Sequence, residues 1–349
     1  MTGASEAGVL RGALIGCGFF AENHLHAWRE VDDASIVALC DADAQRLASA
    51  SERFGIGATY GDVEALFAAE ALDFVDIATG PGSHRALVER AARAGVAVIC
   101  QKPIAKTFED ARAMVSACEA AGVPLAIHEN FRWQSPIRAV KAALEAGSIG
   151  TPFFGRVSFR SAYDVYSGQP YLATDERFIV EDLGIHILDI ARFLFGEVHQ
   201  LAARTQRVNP KIRAEDVATI LMEHETGITS IVDCSYATAR PQELFPQTLI
   251  EVDGSDGTLR LEPDYRLIVH NRTSGTEERL VEPELLAFAE RPWHTIQESV
   301  LAFQRHTSAA FAAGREADTS GRDNLRTFAL VDAVYRSAAG PMTRIVPER

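Results

Sequence analysis

The chain has 349 residues, 47% of them hydrophobic and 23% charged. That is enough apolar material for about two folded domains and too much for a disordered chain. Its 34 basic and 48 acidic residues give a formal net charge of −14, and such a surface repels phosphate backbones, which excludes general nucleic-acid binding and anionic membranes as partners.

No apolar run approaches the roughly 18 residues of a membrane span, and no basic segment precedes an apolar stretch at the N-terminus. The five cysteines are scattered, without disulfide or zinc-type spacing. A reducing cytoplasm is the expected location, and no metal centre is expected.

From the N-terminus, short apolar runs at 13–15, 35–40, 74–78, 96–100 and 123–127 alternate with stretches of helical period at 21–29, 44–54, 63–69, 84–94 and 108–121. Gly95 and Gly122 follow two of these helices, where a left-handed cap is expected. Apolar strands without polar alternation are buried on both faces, so the first half predicts an α/β, doubly wound parallel sheet of the Rossmann type, residues 8–128. The second half, 129–349, reads as an α+β domain. Strands at 152–162, 198–208, 217–224, 228–236, 248–252, 258–261, 266–270 and 277–281 are joined by turn sequences into a large, mostly antiparallel open sheet. Helices at 136–146, 183–195, 295–313 and 321–337 complete it, the last able to pack back on the first domain.

The first motif is Gly16-Cys17-Gly18-Phe19-Phe20-Ala21, a GxGxxA turn between a strand and a helix. Gly16 permits the tight turn, Gly18 admits a pyrophosphate to the backbone, and Ala21 lets the helix pack closely, while Phe19 and Phe20 lie within the same loop. A diphosphate there meets unpaired N–H groups and the positive end of a helix dipole. Asp41, at the end of the second strand, stands where a carboxylate accepts from the adenosine ribose hydroxyls. It repels a 2′-phosphate, so NAD is expected rather than NADP, with Arg46 keeping NADP open; the alternative for Asp41 is a helix N-cap. The loop Thr79-Gly80-Pro81-Gly82-Ser83-His84 follows the third run, where the nicotinamide half belongs, and contributes Thr79, Pro81 and His84. His24 and His26 diverge on a helix and read as packing or surface residues rather than a metal pair.

Two further groups carry proton chemistry. Lys102, in Cys100-Gln101-Lys102-Pro103, closes a buried strand, where an ammonium either bonds a substrate hydroxyl or snorkels to water. Asp182 and His186 are four residues apart, so on a helix the carboxylate lies one turn from the imidazole it can orient. Asp189 reads as structural.

GCGFFA, DFVDIATGPGSH, CQKP and DLGIHILD, in this order, resemble the Gfo/Idh/MocA oxidoreductases, with similarity from about residue 11 to 338. The resemblance implies an NAD(P)-dependent enzyme acting on CH–OH groups, with a C-terminal sheet that commonly mediates homo-oligomerisation. It places the family's lysine on Lys102 and its Asp-x-x-x-His pair on Asp182 and His186. Gln101 departs from the usual Glu; the amide can still bond the cofactor, and it removes a negative charge beside Lys102. IHENFRW at 127–133 and the segment 159–178 place Asn130, Arg132, Arg160, Tyr163, Tyr166 and Arg177 where a polyhydroxylated ligand is held; the alternative for Tyr163 and Tyr166, with Tyr171, is packing at an interface. These features are similar to sugar dehydrogenases acting at the anomeric carbon of pentoses, which implies a small sugar or polyol substrate. The alternatives are a polyol or inositol dehydrogenase and, outside that class, an NAD-assisted glycosidase or a non-catalytic dinucleotide-sensing regulator.

Overall fold

A computed structural model describes residues 8–340 and 344–348. The chain divides into two compact units, one running to Glu129 and including Val300–Leu325, the other comprising Asn130–Ser299 and the chain from Arg326 onward.

In the first unit, β1 (Leu10–Ile15), β2 (Ala34–Cys40), β3 (Ala58–Tyr60), β4 (Phe74–Ile77), β5 (Ala97–Gln101) and β6 (Leu125–His128) form one sheet in the order β3-β2-β1-β4-β5-β6. Every neighbouring pair is parallel. The crossovers are α1 (Ala21–Trp28), α2 (Ala44–Phe54), α3 (Val63–Ala69), α4 (Pro81–Arg93) and α5 (Phe108–Ala121). Helices covering such a sheet exclude water from both faces, and Leu14, Leu39, Val75, Ile99 and Ile127 are wholly buried. Strand order reverses between β1 and β4, and a doubly wound sheet opens a ligand crevice beyond the carboxyl ends of its strands at that point. The glycine turn after β1 and the Thr79 loop after β4 lie there. The three-residue β3 is absent from the sequence-based expectation, because Ala58-Thr59-Tyr60 is too short to show a period.

The second unit holds an eight-stranded sheet built from β7 (Pro152–Arg160), β8 (Val198–Gln206), β9 (Val217–His224), β10 (Thr229–Ser235), β11 (Leu249–Gly254), β12 (Gly257–Glu262), β13 (Arg266–Asn271) and β14 (Gly275–Leu280). Its order is β14-β13-β12-β11-β7-β10-β9-β8. Among the described strands of this sheet, only the β7–β10 pair is parallel. On β7 the period of two sends Val157 and Phe159 into the core, and Gly155 lies on that same face under the Phe195 ring, so close that a Cβ on it would meet ring carbons at 2.3 Å. That face packs α7 (Ile185–Phe195); α6 (Ser135–Glu145) belongs to the same unit. Arg156, Ser158 and Arg160 alternate onto the opposite face of β7.

Two long helices, α8 (His294–Ala312) and α9 (Gly321–Ala338), contribute residues to both units, and Val300–Leu325 is returned to the first one. Among the described residues, no helix is long and apolar enough to cross a membrane.

Candidate active site

In the first unit, the chain leaves β1 with Gly16 at φ +98°, a conformation that L side chains rarely adopt. A Cβ there would lie 2.7 Å from Thr79 Cγ2 and 2.9 Å from the Thr79 backbone nitrogen, so only glycine lets the two loops approach. Beside Gly18 a Cβ would meet nothing within 4 Å. Open space next to a bare backbone, ahead of a helix whose N-terminus no side chain caps, suits a diphosphate. Ala21 is buried, as close helix–sheet packing requires. Phe19 is exposed, whereas the half-buried Phe20 ring meets His24 edge-on at 5.5 Å.

Asp41 is not a helix cap. Asp43 holds that position, accepting from Gln45 N at 2.9 Å and Arg46 N at 3.1 Å. Asp41 is instead tied to the glycine turn: its Oδ2 accepts from Cys17 N at 2.6 Å and its Oδ1 from Asp43 N at 2.8 Å. A carboxylate oxygen has a further lone pair to offer, so Asp41 can still take the ribose hydroxyls of a dinucleotide. Arg46 lies 3.5 Å from Asp43. Burial, then the Asp41 charge, pushes the Cys17 thiol up to about 12, so it stays protonated.

In the Thr79 loop, Gly80 caps α4, Pro81 occupies its first turn, and Ser83 Oγ donates to Thr79 Oγ1 at 2.8 Å. His84, expected at the cofactor, is placed elsewhere. It is wholly buried, with Nε2 2.9 Å from Thr79 O and Nδ1 3.1 Å from Ile104 O, so it pins two loops together from within. Burial lowers its pKa. Gln101 is held inside the protein at both ends of its amide. Its Oε1 accepts from Lys102 N at 2.7 Å, and its Nε2 faces His24 Nε2 at 3.1 Å.

In the second unit, the turn Val180–Gly184 is a π-helical segment leading straight into α7, and it carries Asp182 one turn before His186. Single π turns recur at functional sites, since the extra residue per turn re-aims a side chain. The His186 ring stacks on Phe131, with centroids 3.9 Å apart and planes 5° apart. The Asp182 charge helps burial raise two neighbouring phenols: Tyr171 to about 12, and Tyr236 well above its ordinary value.

Three of the residues expected at the substrate have other partners. Arg132 is buried in a two-pronged ion pair with Asp189, its Nε 2.6 Å from Oδ2 and its Nη2 on Oδ1. Thr327 Oγ1 donates to the same carboxylate at 2.9 Å, so Asp189 is structural, as expected, and Arg132 with it. Arg160 lies on the sheet face opposite α7, bonded to the buried Asp233 at 3.0 Å, and the alternation of β7 keeps it from the face that carries His186. Asn130 donates to Ser299 Oγ at 2.6 Å. Tyr163 stacks on Phe245 at 4.1 Å with Trp293 edge-on at 6.1 Å. Aromatic faces of this kind can pack against the apolar side of a sugar ring. Arg177 bonds Glu181 at 3.3 Å, and the Tyr166 ring lies 5.7 Å from that of Phe178.

Sequence reasoning missed the buried Asp76, in a strand otherwise apolar, and Glu215, which holds the π turn. A carboxylate amid Phe-Val-Asp-Ile was a readable signal; Glu215 offered none. No group of three or more His, Cys, Asp or Glu side chains that could hold a metal ion occurs among the described residues.

A doubly wound parallel sheet, with a glycine turn at its switch point and a carboxylate at the end of β2, defines a dinucleotide-binding fold. Residues 10–129 match the Oxidoreductase family, NAD-binding Rossmann fold, and residues 137–260 match the GFO/IDH/MocA C-terminal domain. The chain belongs to the Gfo/Idh/MocA oxidoreductase family, and NAD is its cofactor.

It is 66% identical over 328 residues to a D-apiose dehydrogenase of Paraburkholderia graminis, covering 94% of this chain and 87% of that protein. To a D-apiose dehydrogenase of Rhizobium rhizogenes it is 60% identical, covering 96% of each. An oxidoreductase from Agrobacterium radiobacter, crystallised with NAD+, L-tartaric acid and magnesium, superposes with a TM-score of 0.95 at 59% identity, covering 97% of this chain and 98% of that one.

Proposed function

We propose that this chain oxidises D-apiose at C1 to the lactone. The observation that carries the reading is the 66% and 60% identity, over nearly the whole length, to two D-apiose dehydrogenases. The joint presence of Lys102, Asp182 and His186 supports it, since a dinucleotide sensor needs none of them. When bound, NAD would supply the acceptor for the hydride that leaves the carbinol carbon. Lys102 donates a hydrogen bond to the hydroxyl oxygen as negative charge develops there. His186, oriented by Asp182, takes the hydroxyl proton. Gly16, Gly18, the loop backbone at Phe19 and Phe20, Asp41, Thr79 and Pro81 form the dinucleotide site in this reading, and Tyr163 offers its ring to the sugar.

The test is NADH absorbance with D-apiose against a panel of other aldoses and inositols, with NADP in parallel. D-Apiose with NAD is expected to give the highest kcat/KM; preferred turnover of an inositol, or none with any sugar, would overturn the substrate assignment. Lys102→Ala is expected to lose at least a hundredfold in kcat, and unchanged turnover removes the lysine from the mechanism.

The same reading makes the protein a cytoplasmic homo-oligomer. All five cysteines are free thiols, four of them buried, which suits a reducing compartment. The β7 face opposite α7 continues across β9 to an exposed Leu221, and such a face is suited to a second copy. Leu221→Arg is expected to shift the species seen by light scattering toward monomer; an unchanged mass would count against this face.

A further inference from the structure

Behind Lys102, inside the first unit, lies a buried chain of side chains that dinucleotide binding does not explain. Asp76 on β4 is wholly buried, and its Oδ2 accepts from Trp28 Nε1 at 2.7 Å and faces His24 Nδ1 at 2.8 Å. His24, also wholly buried, turns Nε2 to the Gln101 amide nitrogen at 3.1 Å. The Gln101 amide oxygen then accepts from the backbone N–H of Lys102 at 2.7 Å.

The direction of every bond in this chain is fixed by its last member. A backbone N–H can only donate, so the amide must present oxygen to Lys102 and NH2 to His24. His24 Nε2 must therefore be a bare lone pair, and the one ring proton sits on Nδ1, donated to Asp76. Protonating Nε2 would set two donors against each other between buried side chains, at the cost of a buried polar clash. The other groups facing His24 accommodate the neutral ring. His128 stacks on it at 4.2 Å, Phe20 meets it edge-on, and Gln304 touches only its backbone carbonyl, at 3.3 Å. Cys100, whose thiol burial and the Asp76 charge push well up, stays protonated at the far end.

We propose that His24 and Gln101 are positioning residues for Lys102, and that the amide at position 101 holds His24 neutral as its Nδ1–H tautomer. The kinetic part of this rests on the reading of Lys102 as a reacting group; the tautomer does not. Glutamate at 101 keeps an acceptor for Lys102 N but turns its second oxygen to His24 Nε2, which then takes a proton and becomes an imidazolium between two carboxylates. Leucine at 101 removes both bonds.

The experiment pairs 15N NMR of the histidine side chains, with His24 assigned from the spectrum of His24→Gln, with steady-state kinetics. In the wild-type protein His24 is expected to carry its one ring proton on Nδ1 at pH 7. In Gln101→Glu it is expected to be doubly protonated at pH 7. Gln101→Leu is expected to lower kcat at least tenfold, and Gln101→Glu to retain kcat within about threefold of wild type, both with KM for NAD little changed. An Nε2–H tautomer or an imidazolium in the wild type, or a Gln101→Glu spectrum like wild type, overturns the charge assignment. Wild-type kcat in Gln101→Leu overturns the positioning role. If Lys102→Ala keeps full turnover, it is the lysine mechanism that fails, and the NMR result stands by itself.

Discussion

In the proposed function, Asp41 joins local structure to cofactor choice. Its two oxygens each take a backbone N–H, from Cys17 in the glycine turn and from Asp43 at the head of α2. That fixes the carboxylate at the end of β2 before any ligand arrives. Bonds to a charged acceptor are worth about 1.5–3 kcal/mol each, so Asp41→Asn, which keeps the shape and loses the charge, is expected to raise KM for NAD on the order of tenfold. It should also narrow the preference over NADP, because the repulsion of a 2′-phosphate goes with the charge. Parallel titrations with both cofactors read this, and an unchanged NAD-to-NADP ratio would place discrimination elsewhere. Sequence alone pointed to Asp41 because the carboxylate, the strand end and the glycine turn recur together at one spacing. It misplaced Arg132 and Arg160 because their partners are far along the chain or on the wrong face. Nothing near residue 132 announces Asp189, and the side of the sheet that Arg160 takes depends on which face α7 covers.

At the scale of elements, the segment carrying Asp182 departs from an ordinary helix. Like the start of any helix, the π turn leaves its first N–H groups without intrahelical partners, and a buried donor left so costs about 1–3 kcal/mol. Glu215 supplies them: its Oε1 accepts from Phe178 N at 3.2 Å and Val180 N at 3.4 Å, and its backbone carbonyl accepts from Ile179 N at 3.2 Å. Tyr335 on α9 donates to the same Oε1 at 2.7 Å and so holds the carboxylate in place. Removing this anchor lets the turn relax and re-aims Asp182 relative to His186. Glu215→Ala is therefore expected to lower kcat on the order of tenfold with KM for NAD unchanged, while Glu215→Gln, which retains an acceptor oxygen, keeps most of the activity. Equal losses in both variants would mean that charge rather than anchoring matters at this position. The helix itself was legible from the apolar period of residues 183–195. The π turn was not, since an inserted residue leaves the composition unchanged and only shifts the phase for one turn.

Across the whole molecule, each unit carries a histidine that burial keeps neutral: His84 in the first, His224 in the second. His224 has Nδ1 2.7 Å from Gly196 O and Nε2 2.8 Å from Ser230 Oγ, while His84 ties the Thr79 loop to Ile104. In the unfolded chain each ring takes a proton near its ordinary value of 6.5, whereas in the fold it does so only at a lower pH. Between those limits the unfolded chain binds more protons, so stability rises with pH and is lost on acidification from about 6.5 downward, with a slope of at most about 1.4 kcal/mol per pH unit for each histidine. Glu181 and Glu298, whose carboxyls burial raises, act in the opposite sense and flatten the curve at its acid end. Thermal midpoints measured by calorimetry from pH 7.5 to 5.5 are therefore expected to fall, first gently and then steeply. Replacing His84 and His224 together by Gln should lower the midpoint at pH 7.5 and make it less sensitive to acid. A wild-type midpoint that stays level down to pH 5.5, or a double variant as acid-sensitive as the parent, would mean that these two rings are not the groups through which acid unfolds the protein.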